Sequence, residues 1–222
     1  MWSDTALSLS EHHFAFAMGA AVDSLPHNAN LYTWRKLSSD LCPICLKLGQ
    51  QRRQTLAHVL SHCQAALQHG RYNTRHDRVL RILYNHMLEN LPKGTTVVVD
   101  LDEQPYHLPA DLPTDLRPDI VILSPGRLHI FELTICWENN FLSSRLRKES
   151  KYLHLLEVAQ NGGRQASLHT IQVGCRGFID TKSLQPLFLL SQTTQRHQKT
   201  VMRQIAKATI EESHAIWALR NQ

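Results

Sequence analysis

The chain has 222 residues, 42% of them apolar, enough for one core with an appendage or for two small domains. Lys and Arg number 24 against 19 Asp and Glu, with 14 His, and the formal charge of +5 fits an anionic partner such as nucleic acid. No apolar run approaches the ~18 residues of a membrane span, and the start, MWSDTALSLSEHHFAFAMGAAVDS, has no basic leader and is interrupted by EHH, so neither a membrane nor a secreted protein is expected.

Residues 1–38 read as a helical lead-in broken near DSLPHN. Residues 39–70 carry a Cys/His cluster. Five cysteines is an odd count, and two form a C-x-x-C pair, which favours metal over disulfides and a reducing compartment, cytosolic or nuclear. Cys42, Cys45, His58 and Cys63 give C-x2-C-x12-H-x4-C, a closed four-ligand pattern for a structural Zn2+. His62 is the alternative fourth ligand, giving C-x2-C-x12-H-x3-H. Thiolate is the stronger zinc ligand, which favours Cys63. Lys47, Arg52 and Arg53 beside the cluster are either phosphate contacts or solvated charges. Cys136 and Cys175 fall in strands and read as core thiols.

Residues 71–193 read as the main domain. A helix runs from about Tyr72 to Asn90 on a stripe of Val79, Leu80, Leu83, Met87 and Leu88, and LPKG ends it. TTVVVDL reads as a strand, and 102–117, rich in Pro and acids, as a loop. PDIVIL and LHIFELTI read as two strands around the Pro125–Gly126 turn. A helix over 141–160 closes at NGG, LHTIQVGC is a fourth strand, and helices follow at about 183–191 and 195–219. The order predicts an α/β fold, a mixed four-stranded sheet flanked by helices and preceded by a small zinc knuckle. Residues 194–222 form a C-terminal amphipathic helix. Its Arg196, Lys199, Arg203 and Lys207 lie opposite Val201, Ile205 and Ile216, so it either follows a nucleic-acid backbone or is simply solvated.

The hairpin holds two acids where strands normally refuse them. With Pro125 and Gly126 as the loop, Ser124 faces Arg127, and Asp119 falls opposite Glu132 on one sheet face, with Cβ atoms about 5 Å apart. Like charges so placed repel unless one holds a proton or both share a cation, and two oxygens at that distance suit Mg2+. Two-residue hairpins prefer other turn types, and a longer loop shifts the register while keeping the acids close. The alternative is ordinary: Asp119 ends a strand and Glu132 pairs with an arginine such as Arg117. Downstream, Arg145, Lys148, Lys151 and Tyr152 share one helix side, from which a lysine can reach the acids or remain solvated.

Taken together, RPDIVI, ELT and KESKY resemble the PD-(D/E)XK nuclease superfamily. Thr134 stands where the usual lysine would be. The closer resemblance is to the restriction-like endonuclease of site-specific non-LTR retrotransposons, in which that lysine has moved to the following helix. CPIC and HVLSHC resemble its Cys-Cys-His-Cys knuckle, RYNTRHDRVL its R-H-N/D helix, and VGCRGF its segment after the fourth strand. The likeness covers about residues 40–180. It implies a restriction-endonuclease-like fold, with Asp119 and Glu132 as ligands for Mg2+ or Mn2+ and Lys151 or Lys148 as the catalytic cation. Lys151 is preferred because it adjoins Tyr152. It also implies nucleic-acid contacts by Arg71, Arg75, His76, Arg117, Arg145 and Tyr152, with Asp77 as an added acidic contact. The expected function is nicking of target DNA in the nucleus, with DNA and element RNA as partners. The reverse transcriptase that precedes such a domain is missing here, so the sequence resembles the C-terminal end of an element's protein, or a truncated or host-retained copy. The competing expectations are a catalytically inactive nucleic-acid-binding module and a zinc-stabilised interaction protein.

Overall fold

A computed structural model describes residues 2–110, 112 and 114–222. Met1 of the expected lead-in and Asp111 and Pro113 of the expected loop lie outside the described residues. Short helices α1 (Trp2–Ala6), α2 (Glu11–Ala21) and α3 (Asn28–Thr33) open the chain. The break at DSLPHN begins where Asp23 takes a left-handed φ of 51° and ends at His27, whose ring accepts the Asn30 N–H to cap α3. Helices α4 (Pro43–Lys47) and α5 (Gln64–Gln68) frame the Cys/His segment. The long helix α6 (Arg71–Asn90) follows.

The sheet runs β1 (Thr96–Val99), β2 (Ile120–Ser124), β3 (Arg127–Cys136), β4 (Gln165–Gly174), paired in that order. The first two pairings are antiparallel and β3–β4 is parallel. A parallel pair needs a crossover, and α7 (Phe141–Asn161) supplies it. Helices α8 (Thr181–Leu190) and α9 (Gln195–Ala218) complete the described chain. The architecture is thus α/β, with a mixed four-stranded sheet flanked by helices. No described helix is long and apolar enough to cross a membrane.

Strand alternation divides the sheet into two faces. Ile120, Ile122, Phe131, Leu133, Ile171 and Val173 pack under α6, α8 and α9. Val121, Leu128 and Ile130 face the other way, against Tyr152, Leu155 and Ala159 of α7. Each such side chain contributes roughly 1.5–3 kcal/mol on burial. Of the stripe expected on α6, Val79, Leu80, Leu83 and Met87 are fully buried, but Leu88 is exposed. It lies one residue beyond Met87, about 100° around the helix and off the contact line. The last helix is no appendage: Val201, Met202, Ile205, Ala206 and Ala208 join the main core. Its far end, with Ile210, Ile216 and Trp217, takes up Phe16, Ala17 and Ala20 of α2 and Leu56, Val59 and Leu60 of the Cys/His segment.

The segment VGCRGF, which ends β4 and leads out of it, is a joint. Arg176 pairs with Glu138 (3.0 Å) and stacks over Trp137 at 4.3 Å. Gly177 has φ of +85°, and a Cβ there would lie 2.7 Å from Ile210, so only glycine lets α9 approach.

His169 on β4 stacks on Phe131 at 4.8 Å and sits near His129. Burial, then the neighbouring His129, pushes its pKa from 6.5 down to about 4. Unfolded chains therefore bind a proton that the folded chain refuses between those values, so its contribution is complete above pH 6.5 and lost as pH falls to about 4. Urea unfolding across that window should show a shallower pH slope for His169→Gln than for the native chain. Parallel curves would refute the assignment.

Candidate functional site

The β2–β3 ladder has the register that the turn position implies: Ser124 faces Arg127, and Ile120 faces Phe131. Gly126 carries the positive φ (71°) behind Pro125, the arrangement of a type II turn. One step beyond the ladder, Asp119 and Glu132 face each other. They replace the missing backbone bonds with side chains. Asp119 N–H donates to Glu132 Oε1 (3.0 Å), and Leu133 N–H donates to Asp119 Oδ2 (2.7 Å). Pro118, with no N–H to give, stops the strand just before.

Two cations converge on this pair. Lys148 of α7 donates to Glu132 Oε2 and stands 3.7 Å from Asp119 Oδ2. His76 of α6 places Nε2 3.4 Å from Asp119 Oδ2 and Nδ1 3.1 Å from Asp77 Oδ1. Burial disfavours charge on His76, but Asp119 and Asp77 outweigh it and raise its pKa to about 9, so the ring favours its charged form between the two carboxylates. Glu132 is fully buried, and burial, then the Asp119 charge, pushes its pKa up. For Asp119 burial acts in the same upward direction, but His76, Lys148 and the Leu133 N–H overcome it and hold the carboxyl below its usual value. The two acids are therefore unequal. Asp119 is held toward its charged form, and Glu132 is pushed toward its neutral form even with Lys148 beside it.

The other expected residues divide. Lys151 does not reach the acids. Its Nζ donates to Tyr152 Oη (2.9 Å), so of the two lysines expected as the catalytic cation it is Lys148, and not the preferred Lys151, that meets the acids. Tyr152 is fully buried, its hydroxyl donating to the Arg117 carbonyl (3.3 Å), and it presents nothing to a nucleic acid. Arg75 is also buried, contrary to its expected role as a nucleic-acid contact. Nη1 donates to Ser213 Oγ (3.0 Å), the guanidinium lies over Tyr72, and Nε has no partner. The register of α6 turns Arg75 inward beneath α9. Arg71 donates to the Leu219 and Gln222 carbonyls and ties down the end of α9. Arg117 and Arg145 are exposed, paired with Asp100 and Glu149. Asp77 meets the acids only through His76. The role of His76 beside Asp119 went unread, although its place next to Arg75 in the R-H-D run was the available signal.

Arg75 also yields a stability test. A buried charge held chiefly by a hydroxyl is poorly compensated, so Arg75→Met, which keeps the volume, should change stability by no more than about 1 kcal/mol. Arg75→Ala leaves a cavity and should cost about 2–5 kcal/mol. Urea unfolding compares them, and a larger loss with Met than with Ala would contradict this account.

The Cys/His segment forms a second centre. Cys42, Cys45, His58 and Cys63 are all buried, with one ligand atom from each within 4.8 Å of the others. Cys45 Sγ lies 3.5 Å from Cys63 Sγ and 3.4 Å from His58 Nε2. Tetrahedral zinc with ~2.3 Å Zn–S bonds sets sulfurs about 3.7 Å apart, so the donor set fits. A hydrogen bond from Cys63 pushes the Cys42 thiol down to about 3, and the same bond pushes Cys63 up. The wide π-turn over His58–His62 brings His58 and Cys63 to one side. Tyr72 of α6 pins that turn, its hydroxyl accepting from Cys63 N–H and donating to the Val59 carbonyl (both 3.0 Å). His62 points away, hydrogen-bonded to Asn140 (2.7 Å), which removes it as the alternative ligand. This buried cluster can hold a metal ion such as zinc. No family model and no curated protein matches the chain.

Proposed function

We propose that the chain is a metal-dependent DNA endonuclease domain of restriction-like fold and retrotransposon origin, which nicks DNA by hydrolysing a phosphodiester. The observation that carries this reading is the convergence of Asp119, Glu132 and Lys148 at one end of the sheet. The carboxylates form a hard-oxygen donor pair suited to Mg2+ or Mn2+. When bound, such an ion offsets phosphate charge and lowers the pKa of water. Lys148 supplies a fixed cation for charge developing on the phosphate. His76 keeps Asp119 ionised and oriented. Within the same reading, zinc in the knuckle is structural and helps position nucleic acid. DNA and element RNA are the partners, the reverse transcriptase region of the parent element is not in this chain, and the compartment is the nucleus.

The second reading, a binding module without cleavage, is favoured by one feature: Lys148 and His76 already answer both acids without any further ion. Supercoiled plasmid with Mg2+ or Mn2+ separates the two, with zinc retained throughout. Nicking by the native chain should drop at least about a hundredfold in both Asp119→Asn and Glu132→Gln. Folded native chain that shifts DNA in a gel yet leaves it closed would replace the first reading with the second.

A further inference from the structure

We propose that His12, His13 and His214 form a second metal site, for a borderline divalent ion of the Zn2+ class, at the junction of α2 and α9. The three side chains come from opposite ends of the sequence. One ligand nitrogen from each lies within 4.8 Å of the others. Consecutive residues on a helix normally point apart, yet the rings of His12 and His13 are 4.0 Å apart by centroid. Ser10 Oγ gathers them, 2.7 Å from His13 Nδ1 and 3.3 Å from His12 Nδ1. His214 closes the triangle at 5.5 and 5.0 Å.

The support behind the rings is fixed. Phe16, one turn beyond His12 on α2, is buried against Trp217 and sets its ring 5.2 Å from that of His214. The backbones that carry the histidines are thus held by apolar packing rather than by the ion. Zn–N bonds of ~2.0 Å call for nitrogens about 3.3 Å apart, a closure that rotation of partly exposed imidazoles provides. The nearby carboxylate Glu211 is engaged with Arg78 and Lys207 and leaves the histidines as the donors.

Imidazole nitrogens select Zn2+, Co2+, Ni2+ or Cu2+ over Mg2+ or Ca2+, which prefer oxygen. Three protein ligands leave a fourth position open to water. This differs from the knuckle, whose four ligands close its site. An ion here would clasp α2 to α9.

The test uses the full chain, given one equivalent of Zn2+ for the cysteine cluster and then titrated with Co2+ by visible absorption. A further equivalent should bind with the d–d bands of a nitrogen and oxygen ligand set and without thiolate-to-cobalt charge transfer. His12→Ala and His214→Ala should each weaken it at least about tenfold, with far-ultraviolet circular dichroism unchanged. His12 is exposed, so its loss tests binding without threatening the fold. The site is ruled out if only thiolate-type absorption appears, or if both variants bind the further equivalent as tightly as the native chain does.

Discussion

Plasmid nicking by a Lys148→Met chain is expected to fall by about 10²–10³-fold, while Lys151→Met stays within a few-fold of native. The two lysines stand three residues apart on α7, but only one of them points at the end of the β2–β3 hairpin. Lys148 touches Glu132 and lies 3.7 Å from Asp119, so in the proposed reaction its charge falls beside the phosphate. Lys151 spends its ammonium on the Tyr152 hydroxyl and ring. Methionine preserves the stem of each side chain, so packing is largely kept. Removing Lys148 also leaves Glu132 buried beside Asp119 without a cation. Glu132 then takes up a proton, and denaturant unfolding of the same variants shows how much of the lost rate is lost fold. If Lys151→Met abolishes nicking and Lys148→Met does not, the geometry has been misread, and the lysine beside the tyrosine is the catalytic one.

Stripping the cysteine cluster of metal should unfold residues 39–70 and then loosen the contacts of α2. Structural zinc contributes on the order of 10 kcal/mol to the folding of such segments, and this one buries little apolar surface of its own. Among the described residues, its small core is Ile44, Ala65, Ala66 and the three cysteines, with Tyr72 packed against it. Leu56, Val59 and Leu60, however, are shared with Phe16, Ile216 and Trp217. Loss of the knuckle therefore propagates to α2, the end of α9 and the far end of β3, where Ile135 packs against the same cluster. Hydrogen exchange read by mass spectrometry, with and without a chelator, should show protection lost first around Cys42–Cys63 and then across α2, with β1 and β2 unchanged. Cys45→Ser should reproduce the pattern, since the Cys45 thiol lies 3.4 Å from His58 and 3.5 Å from Cys63. Unchanged exchange in the knuckle after chelation would show that apolar packing alone sustains it.

The sequence by itself determined what depends on short-range physics. Pro125–Gly126 located the turn, the turn set the register, and the register placed Asp119 opposite Glu132. Residue spacing together with the preference for thiolate chose the four residues of the buried Cys/His cluster, and helical periodicity located α6 and α7 to within a residue or two. Tertiary structure alone decided which way each helix was rolled when it docked. That roll brought Lys148 to the acids in place of Lys151, turned Arg75 inward, swung His76 onto Asp119 and carried His214 to His12 and His13. It also drew α9 into the core. Periodicity states which residues share a helix face. What that face meets is fixed by packing between segments far apart in the chain, and no local pattern records it.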